Sequence, residues 1–298
     1  MSPDVSITVR FHPPPEDLRR YFTTFYVTEI VVPGGQQVED ALQPEWAGLR
    51  FFSGATPQAW VDPGAAVSGA AFIATGPSSL PCHFRLGTTR FWGVGLLPLG
   101  WHRFVGKPAA DHANLVADGM HHPGFAPFRS LAATLFDDRA DEAAELERII
   151  GFFRFFPAAS LDDEARIVAI HSGLVDPRVD TVAKLVAHVG AGQRTVERLC
   201  RRDFGFSPKV LLRRQRFMRS LAQFMLDPSL KWIGAIDGQY HDQAQFVRDF
   251  HQFMGMTPRA YAAQPHPVLD TFMHERARML RAAVQTLDSP DGAAPDPA

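Results

Sequence analysis

Two stretches of the chain carry arginine and glutamine side chains at matching positions, fifty residues apart. At that offset Arg248 falls on Arg198, Gln243 on Gln193 and Gly255 on Gly205. Arginine can grip guanine, glutamine can grip adenine, and glutamate can accept a hydrogen bond from cytosine. Such side chains could therefore contact base edges in double-stranded DNA. The candidate base contacts are Gln193, Arg194, Glu197, Arg198 and Arg201 in the first copy and Gln243, Gln245 and Arg248 in the second.

The repeat predicts two helices that each end at a defined residue. Phe246, Phe250 and Phe253 are spaced i, i+4, i+7, which places them on one face of a helix. Gly205 and Gly255 suit the left-handed residue after a helix end, and a proline follows each glycine three residues later.

A further apolar helical run precedes each predicted helix, at residues 182–189 and 232–236. A helix, a short turn and a polar-faced helix together form the helix-turn-helix pattern. Two ordinary helical hairpins with solvated outer faces are the alternative. The fixed offset between like faces and like ends favours a repeated functional unit.

Over about residues 178–262 the sequence resembles the AraC/XylS-type transcription regulators. Residues 235–250 and 255–261 resemble the family signature across its second helix-turn-helix, and residues 193–200, 205–208 and 216–217 resemble the first. Two positions depart from the family pattern. Gln239 stands where a glycine usually precedes the aromatic residue, and Gly192 stands where a serine usually caps the first recognition helix. Glycine is tolerated at an N-cap.

The resemblance implies a two-domain α+β protein. Residues 1–160 would form a cupin-like β-barrel plus helices that senses a small-molecule effector and forms dimers. Residues 161–264 would form an all-α DNA-binding domain with two helix-turn-helix units joined by a linker helix. Residues 265–298 would add an amphipathic helix and a disordered tail. The expected partners are double-stranded DNA, an unidentified effector, RNA polymerase and a second protomer, for an activator in a bacterial cytoplasm, associated with the nucleoid.

Charge is distributed unevenly along the chain. Residues 1–160 carry a net charge of −4, whereas residues 177–264 carry +7. A basic module joined to an acidic one indicates that only the basic module meets a polyanion. The candidate phosphate contacts are Lys184, Lys209, Arg213 and Lys231. We find no signal peptide and no apolar run long enough to span a membrane, and expect neither.

Residues 11–128 predict short strands separated by glycine- and proline-rich turns. The apolar runs are residues 26–32, 49–52, 70–74 and 91–97. The residues that could support an enzyme instead are His102, His112, His121 and His122, as metal ligands, and Cys82, as a reactive thiol. These histidines lack the spacing of a metal-binding cupin, and a lone cysteine is more often a small buried hydrophobe. We therefore predict no catalytic residue, metal or cofactor, and keep a cupin-type enzyme and an interaction protein as alternatives.

Three helical segments lie outside the repeat, and the sequence leaves the role of two of them open. Apolar residues over 131–153 predict helices that either pair protomers or pack on their own barrel. Residues 208–227 predict the helix that joins the two units. Residues 268–287 predict an amphipathic helix beyond the family's usual end. Its apolar face could be buried on the second unit, on the sensing domain or on another protomer.

Overall fold

The computed structural model describes residues 5–157, 162–230, 234–280 and 284–290. Its N-terminal half contains two antiparallel sheets. The strands are β1 Ser6–His12, β2 Phe22–Val31, β3 Val38–Leu42, β4 Ala47–Gly54, β5 Gln58–Trp60, β6 Val67–Ser68, β7 Phe72–Thr75, β8 Cys82–Leu86, β9 Thr89–Leu96 and β10 Val116–Asp118. The larger sheet has the order β1-β2-β9-β4-β7-β10, and the smaller has the order β3-β8-β5-β6.

Successive side chains of a strand point to opposite faces of a sheet. Both faces of the larger sheet are buried. On one face, Tyr26 and Phe91 share a core with Phe84 and Leu86 of the smaller sheet. On the other face, Phe25 and its neighbours pack against helices. The two sheets therefore form a sandwich with helices outside it. This confirms a strand-rich N-terminal half, and its cupin-like character stays a prediction.

Helices dominate the rest of the chain. They are α1 Arg129–Thr134, α2 Glu142–Arg154, α3 Glu164–Val175, α4 Val182–Val189, α5 Gln193–Phe204, α6 Pro208–Leu226, α7 Gln243–Met254, α8 Pro258–Ala262 and α9 Pro267–Leu280. Short helical turns lie at Pro33–Gly35, Pro98–Gly100, Trp101–Val105, Ala109–His112, Pro123–Phe128, Pro228–Leu230 and Gln285–Leu287. Within the described part of the chain, no helix is both long enough and apolar enough to cross a membrane.

Helices α1 and α2 pack on their own domain. Leu131, Ile149 and Phe153 are buried in the core on the outer face of the larger sheet. The ring of Phe153 lies 4.6 Å from that of Phe22, measured between centroids. The sequence left two roles open for these helices, and packing on their own sheet domain is the one observed. Pairing of protomers stays a prediction.

The linker helix α6 is attached to the sheet domain by a buried arginine. Arg214 is fully buried, and its guanidinium lies 4.1 Å from the centroid of the Trp46 ring. Its Nη1 donates to the backbone oxygen of Ser78 at 2.8 Å. Trp46 also contacts the ring of Phe204 at the end of α5, at 5.8 Å. The first helix-turn-helix unit and the linker helix thus share a core with the sheet domain.

Helix α9 bridges the two halves of the chain. Val268 and Phe272 belong to the core between the two sheets, while Leu269 and Met273 belong to the core around α7. Of the three burial sites that the sequence left open, both intramolecular ones are therefore used. The helix is described as far as Leu280 and does not continue to the predicted end at residue 287. Residues 281–283 lie outside the described part, and a separate turn follows at Gln285–Leu287.

A carboxylate of the sheet domain caps the start of α9. Oδ2 of Asp40, on β3, accepts hydrogen bonds from the backbone nitrogens of Val268 and Leu269, both at 2.9 Å. Backbone N–H groups in the first turn of a helix have no partner within the helix, and a negative charge there is favoured by the helix dipole. Oδ1 of Asp40 also lies 3.4 Å from Nδ1 of His266. One side chain therefore fixes the entry to α9.

Asp40→Ala tests this attachment. Losing the cap should lower the free energy of unfolding by about 1–2 kcal/mol, the cost of removing a good N-cap. The matched control is Glu39→Ala on the same strand, whose carboxylate forms an exposed pair with Arg85 and should matter by less than about 0.5 kcal/mol. Urea unfolding followed by circular dichroism measures both variants. Equal losses would contradict a specific capping role.

Candidate nucleic-acid interface

The first helix-turn-helix unit consists of α4 and α5. Thr181 caps α4, because its hydroxyl accepts a hydrogen bond from the backbone nitrogen of Lys184 at 3.2 Å. Gly190 ends that helix in the left-handed region, with φ of 65°. Gly192 occupies the N-cap of α5 and offers no side-chain hydrogen bond, as its position in the sequence predicts. Three short signals therefore define the turn between the two helices.

The second unit repeats the same construction at α7. Asp242 caps this helix by accepting a hydrogen bond from the backbone nitrogen of Gln245 at 2.6 Å. Helices α5 and α7 are each 12 residues long, and each ends at a left-handed glycine, Gly205 or Gly255. Each glycine is followed two residues later by the N-cap of the next helix, with proline at its first turn. The apolar run predicted to precede α7, residues 232–236, lies partly outside the described part, which omits residues 231–233.

The two end glycines have different surroundings. A Cβ added at Gly205 would lie 3.2 Å from Cβ of Pro77 in the sheet domain. One added at Gly255 would meet no described atom within 4 Å. The first unit is thus in contact with the sheet domain at the end of its recognition helix. The corresponding point of the second unit is open.

A buried aspartate orients the second recognition helix. Asp249 accepts hydrogen bonds from Nε of Arg213 at 3.0 Å, from Nη2 of Arg216 at 2.9 Å and from the hydroxyl of Tyr240 at 3.0 Å. The guanidinium of Arg216 also lies 4.2 Å from the centroid of the Tyr240 ring. Charge-assisted hydrogen bonds of this kind are the stronger ones. They fix the rotation of α7 against α6, beside the cleft that Gln245 lines.

Most predicted base contacts lie on solvent-facing sides of the recognition helices. Arg194, Arg198 and Arg201 are exposed on α5, as are Gln193, Gln243 and Arg248, while Glu197 and Gln245 are half-buried. Nε2 of Gln193 donates to Oε1 of Glu197 at 2.8 Å, so these two side chains act as a pair. The first set therefore lies on one face of α5, whereas in the second Gln243 and Gln245 point to different sides of α7. Their contact with bases stays a prediction.

One candidate base contact is engaged within the protein. Nη2 of Arg198 lies 3.3 Å from Oδ2 of Asp163, which also contacts Arg202 at 3.2 Å. Hydrogen bonds from Arg166, and then from Arg198 and Arg202, outweigh desolvation and lower the pKa of Asp163. Exposed pairs of this kind contribute little stability, so Arg198 can exchange Asp163 for another acceptor at low cost.

Two predicted phosphate contacts, Lys209 and Arg213, line a cleft between the two units. The cleft has a volume of about 310 Å³ and is lined by Asp180, Thr181, Val182, Lys209, Leu212, Arg213, Arg216, Gln239 and Gln245. Lys209 is exposed there, whereas Arg213 is half-buried on Asp249. Lys184 lies at its edge and pairs with Asp180 at 2.9 Å. Lys231 lies outside the described residues.

Three residues at or near the candidate interface were not predicted from the sequence as site residues. His251 is exposed on α7 at the position that matches Arg201 on α5, so the fifty-residue offset could have identified it. Arg216 lines the cleft beside Lys209, and the periodicity of α6 places it near Arg213. Asp163 holds Arg198 from 35 positions away along the chain, a distance that leaves no local signal.

Two of the histidines considered for an enzyme, His112 and His122, lie close together, with ring centroids 5.4 Å apart, and each of the four histidines has a partner within the protein. His102 Nδ1 contacts Asp203 at 2.9 Å, His112 Nδ1 contacts the oxygen of Pro108 at 3.0 Å, and His121 contacts Asp118 at 2.7 Å. His122 accepts from the backbone nitrogen of Gly124 at 3.2 Å. Across the described ranges no three His, Cys, Asp or Glu side chains are grouped as metal ligands. Burial raises the pKa of Cys82 to about 12, which keeps it a thiol at neutral pH.

Comparison with known proteins adds one family match. A family model described as a helix-turn-helix domain matches residues 185–264, which span both recognition helices. A search of curated protein sequences finds no match.

Solved structures give weak similarities. ToxT from Vibrio cholerae O395 is 12% identical over 87% of this chain and 96% of that chain, with a TM-score of 0.42. The same protein bound to (E)-4-(8-methylnaphthalen-1-yl)but-3-enoic acid is 11% identical over 87% and 98% of the two chains, with a TM-score of 0.43. The AraC-like transcriptional activator CuxR is 11% identical over 73% and 87%, with a TM-score of 0.22. No ligand of this chain follows from likenesses of this strength.

The repeated helices, their matching end glycines and the family match define the class of domain. Residues 185–264 form a helix-turn-helix domain. It contains two recognition helices in tandem, α5 and α7, joined by the linker helix α6.

Asp249→Ala tests the support of the second unit. Removing this carboxylate leaves Arg213 and Arg216 without their shared partner and should cost about 3 kcal/mol of unfolding free energy, as for other broken buried pairs. Amide hydrogen exchange should rise in α7 more than in α5. Asp111→Ala, at an exposed position, serves as the control and should change neither quantity. Unchanged exchange in α7 would contradict the role of Asp249.

Proposed function

We propose that the chain regulates transcription by placing α5 and α7 in successive major grooves on one face of a DNA duplex. The observation that carries this proposal is the pair of 12-residue helices with the same end structure, joined by one helix of 19 residues. At 1.5 Å per residue, α6 is about 28 Å long. Recognition elements in successive major grooves lie about 34 Å apart. The two lengths are compatible if the recognition helices project beyond the ends of α6.

The exposed side chains divide into two kinds of contact. Arg194, Arg198 and Arg248 can each form two hydrogen bonds with a guanine, and Gln243 can do so with an adenine. Glu197, Arg201, Gln193 and Gln245 complete the proposed base-reading set. Lys184, Lys209, Arg213 and Lys231 are the proposed phosphate contacts, which give register and affinity without base information.

The sheet domain is proposed to sense a small molecule. Support comes from two adjoining cavities against the core of the sandwich, described below. The matched class of protein points to no enzymatic reaction, and we assign no catalytic residue. We further propose that the protein activates transcription through RNA polymerase and forms a homodimer. It would act in the bacterial cytoplasm, where chromosomal DNA lies.

Arg248→Ala tests base recognition on a DNA site selected from random sequences with the purified protein. The loss of a bidentate contact should weaken binding to that site by about 1–3 kcal/mol and relax its specificity at one base pair. Melting should not change, because Arg248 is exposed and lies away from the buried side of α7. Fluorescence anisotropy with labelled duplexes gives the affinities.

The matched control for this experiment is Arg278→Ala. This arginine is 68% exposed and pairs only locally, with Glu275 of the same helix. It removes the same charge from the protein without touching a recognition helix. Wild-type affinity in a folded Arg248→Ala variant, or equal losses in both variants, would show that α7 does not read bases.

Lys209→Ala tests the phosphate contacts. Binding should weaken alike for all DNA sequences, and the slope of log K against log salt concentration should fall in magnitude by about one. Lys107→Ala, an exposed lysine of the sheet domain, provides the control and should leave the slope unchanged. A wild-type slope in Lys209→Ala would remove this residue from the interface.

A further inference from the structure

Two small cavities adjoin one another where the sheets meet the C-terminal helix. Their volumes are about 60 Å³ and 40 Å³. Both are lined by Tyr26, Leu42, Arg50 and Phe272. The smaller lies among apolar side chains of both sheets and contains Cys82 in its wall. The larger extends toward polar residues at the junction with α6. Together they form one elongated space with an apolar end and a polar end.

The charge at the polar end is already balanced. Nη2 of Arg50 contacts Oε1 of Glu45 at 2.6 Å, and both residues are buried. Arg276, the other buried arginine that lines the larger cavity, is paired with Asp288. A buried ion pair of this geometry leaves no net positive charge to attract an anion, and an additional buried charge would require its own partner. An anionic ligand would therefore have to displace Glu45. Glu45 is held in place by its other contacts, which include Thr75 at 3.4 Å and Nε2 of Gln285.

Two hydrogen-bond acceptors at this end have unused capacity. Gln43 and Gln285 both line the larger cavity. Among the residues that the structure describes, none donates a hydrogen bond to Oε1 of either glutamine, although both atoms are buried. A buried acceptor without a donor costs free energy, which a ligand can recover by donating to it. The polar end therefore selects for O–H or N–H groups.

Helix α9 closes this space. Phe272 lies in the wall of both cavities, with its ring centroid 4.9 Å from that of Phe11 and 4.7 Å from that of Tyr26. Val268 and Leu269 line one cavity each, on the same helix. The closed volumes are far below the roughly 300–1,000 Å³ of a ligand pocket. A ligand of metabolite size can enter only if α9 moves.

We propose that this space binds a small uncharged amphiphile, with an apolar body and a hydroxyl or amide head that donates hydrogen bonds to Gln43 and Gln285. The ligand gains access when α9 moves away from the sheets. The site identifies the effector class of the proposed regulator, and its regulatory consequence rests on that proposed function.

The same movement would reach the second DNA-binding unit. Leu269 and Met273, on α9, pack in the core around α7, and only residues 263–266 separate α9 from α8. A ligand that lifts Phe272 from the sheets therefore disturbs the packing of α7. A ligand can shift such an equilibrium only by its differential affinity for the two arrangements. Helix α9, which closes the cavity, thus contacts both the proposed ligand site and the second DNA-binding unit.

The ligand class is tested with three probes that share one skeleton: 2-phenylethanol, phenylacetate and ethylbenzene. Binding to the full-length protein is measured by isothermal calorimetry, with thermal melting as a second readout. The alcohol should bind about tenfold more tightly than ethylbenzene, equivalent to roughly 1.4 kcal/mol from its hydrogen bond. Phenylacetate should bind more weakly than the alcohol. Gln43→Met should lower the advantage of the alcohol over ethylbenzene, and Gln43→Met combined with Gln285→Met should remove it.

The movement of α9 is tested through Cys82, which becomes accessible only when the space opens. Alkylation by iodoacetamide is followed by peptide mass spectrometry, with buried Cys200 as the internal control. Phe272→Ala should increase the rate at Cys82 about tenfold over wild type without a change at Cys200. Phe272→Leu is the substitute if the alanine variant does not fold. Arg278→Ala, on the exposed side of α9, should leave both rates unchanged.

Two results would overturn the inference. Tighter binding of phenylacetate or ethylbenzene than of the alcohol would refute the ligand class. An unchanged Cys82 rate in both folded Phe272 variants would refute the movement of α9. The proposed function is judged separately, by DNA binding without any probe. Loss of that binding in Arg248→Ala supports the function even if every probe fails, and probe binding supports the site even if DNA affinity does not respond.

Discussion

The burial of Arg214 determines how the two halves of the molecule are joined. Its guanidinium stacks on Trp46 and donates to the backbone oxygen of Ser78, so a residue of the linker helix is enclosed by the sheet domain. Burial lowers the pKa of Arg214 to about 9, which leaves it charged at neutral pH. A charge in this position is tolerated only while the aromatic face and the carbonyl remain in place. Separation of the domains would therefore disrupt more than apolar packing.

The junction connects the cavity to the linker helix through one short segment. Glu45 accepts a hydrogen bond from Arg50 in the cavity wall, and the adjacent Trp46 lies beneath Arg214. The backbone nitrogen of Glu45 is itself held by the hydroxyl of Ser78 at 2.9 Å. Two consecutive residues, Glu45 and Trp46, therefore contact the cavity and the linker helix respectively. Direct contacts thus connect the cavity of the sheet domain to the linker helix.

Local signals predicted much of the helical half. Gly205 and Gly255 mark helix ends because each adopts a left-handed conformation, and the prolines at 208 and 258 occupy first turns. The strand runs in the N-terminal half were also visible, although their division into two sheets was not. The contacts of Asp40 with α9, of Asp249 with Arg213 and of Arg214 with Trp46 were missed. Each joins residues that are distant in sequence, and no local spacing records such a pairing. The base and phosphate contacts remain predictions, since only bound DNA can test them.

The unequal surroundings of Gly205 and Gly255 show that the repeat is not a pair of interchangeable parts. One end glycine lies against Pro77, so a side chain there would collide with another domain as well as strain the backbone. The other would strain the backbone alone. The two copies are therefore held in different ways, although their sequences align. The first lies directly against the sheet domain at the end of its recognition helix, while the second is joined to that domain through α9. A displacement of α9 would thus alter the support of one recognition helix and leave the direct contact of the other in place.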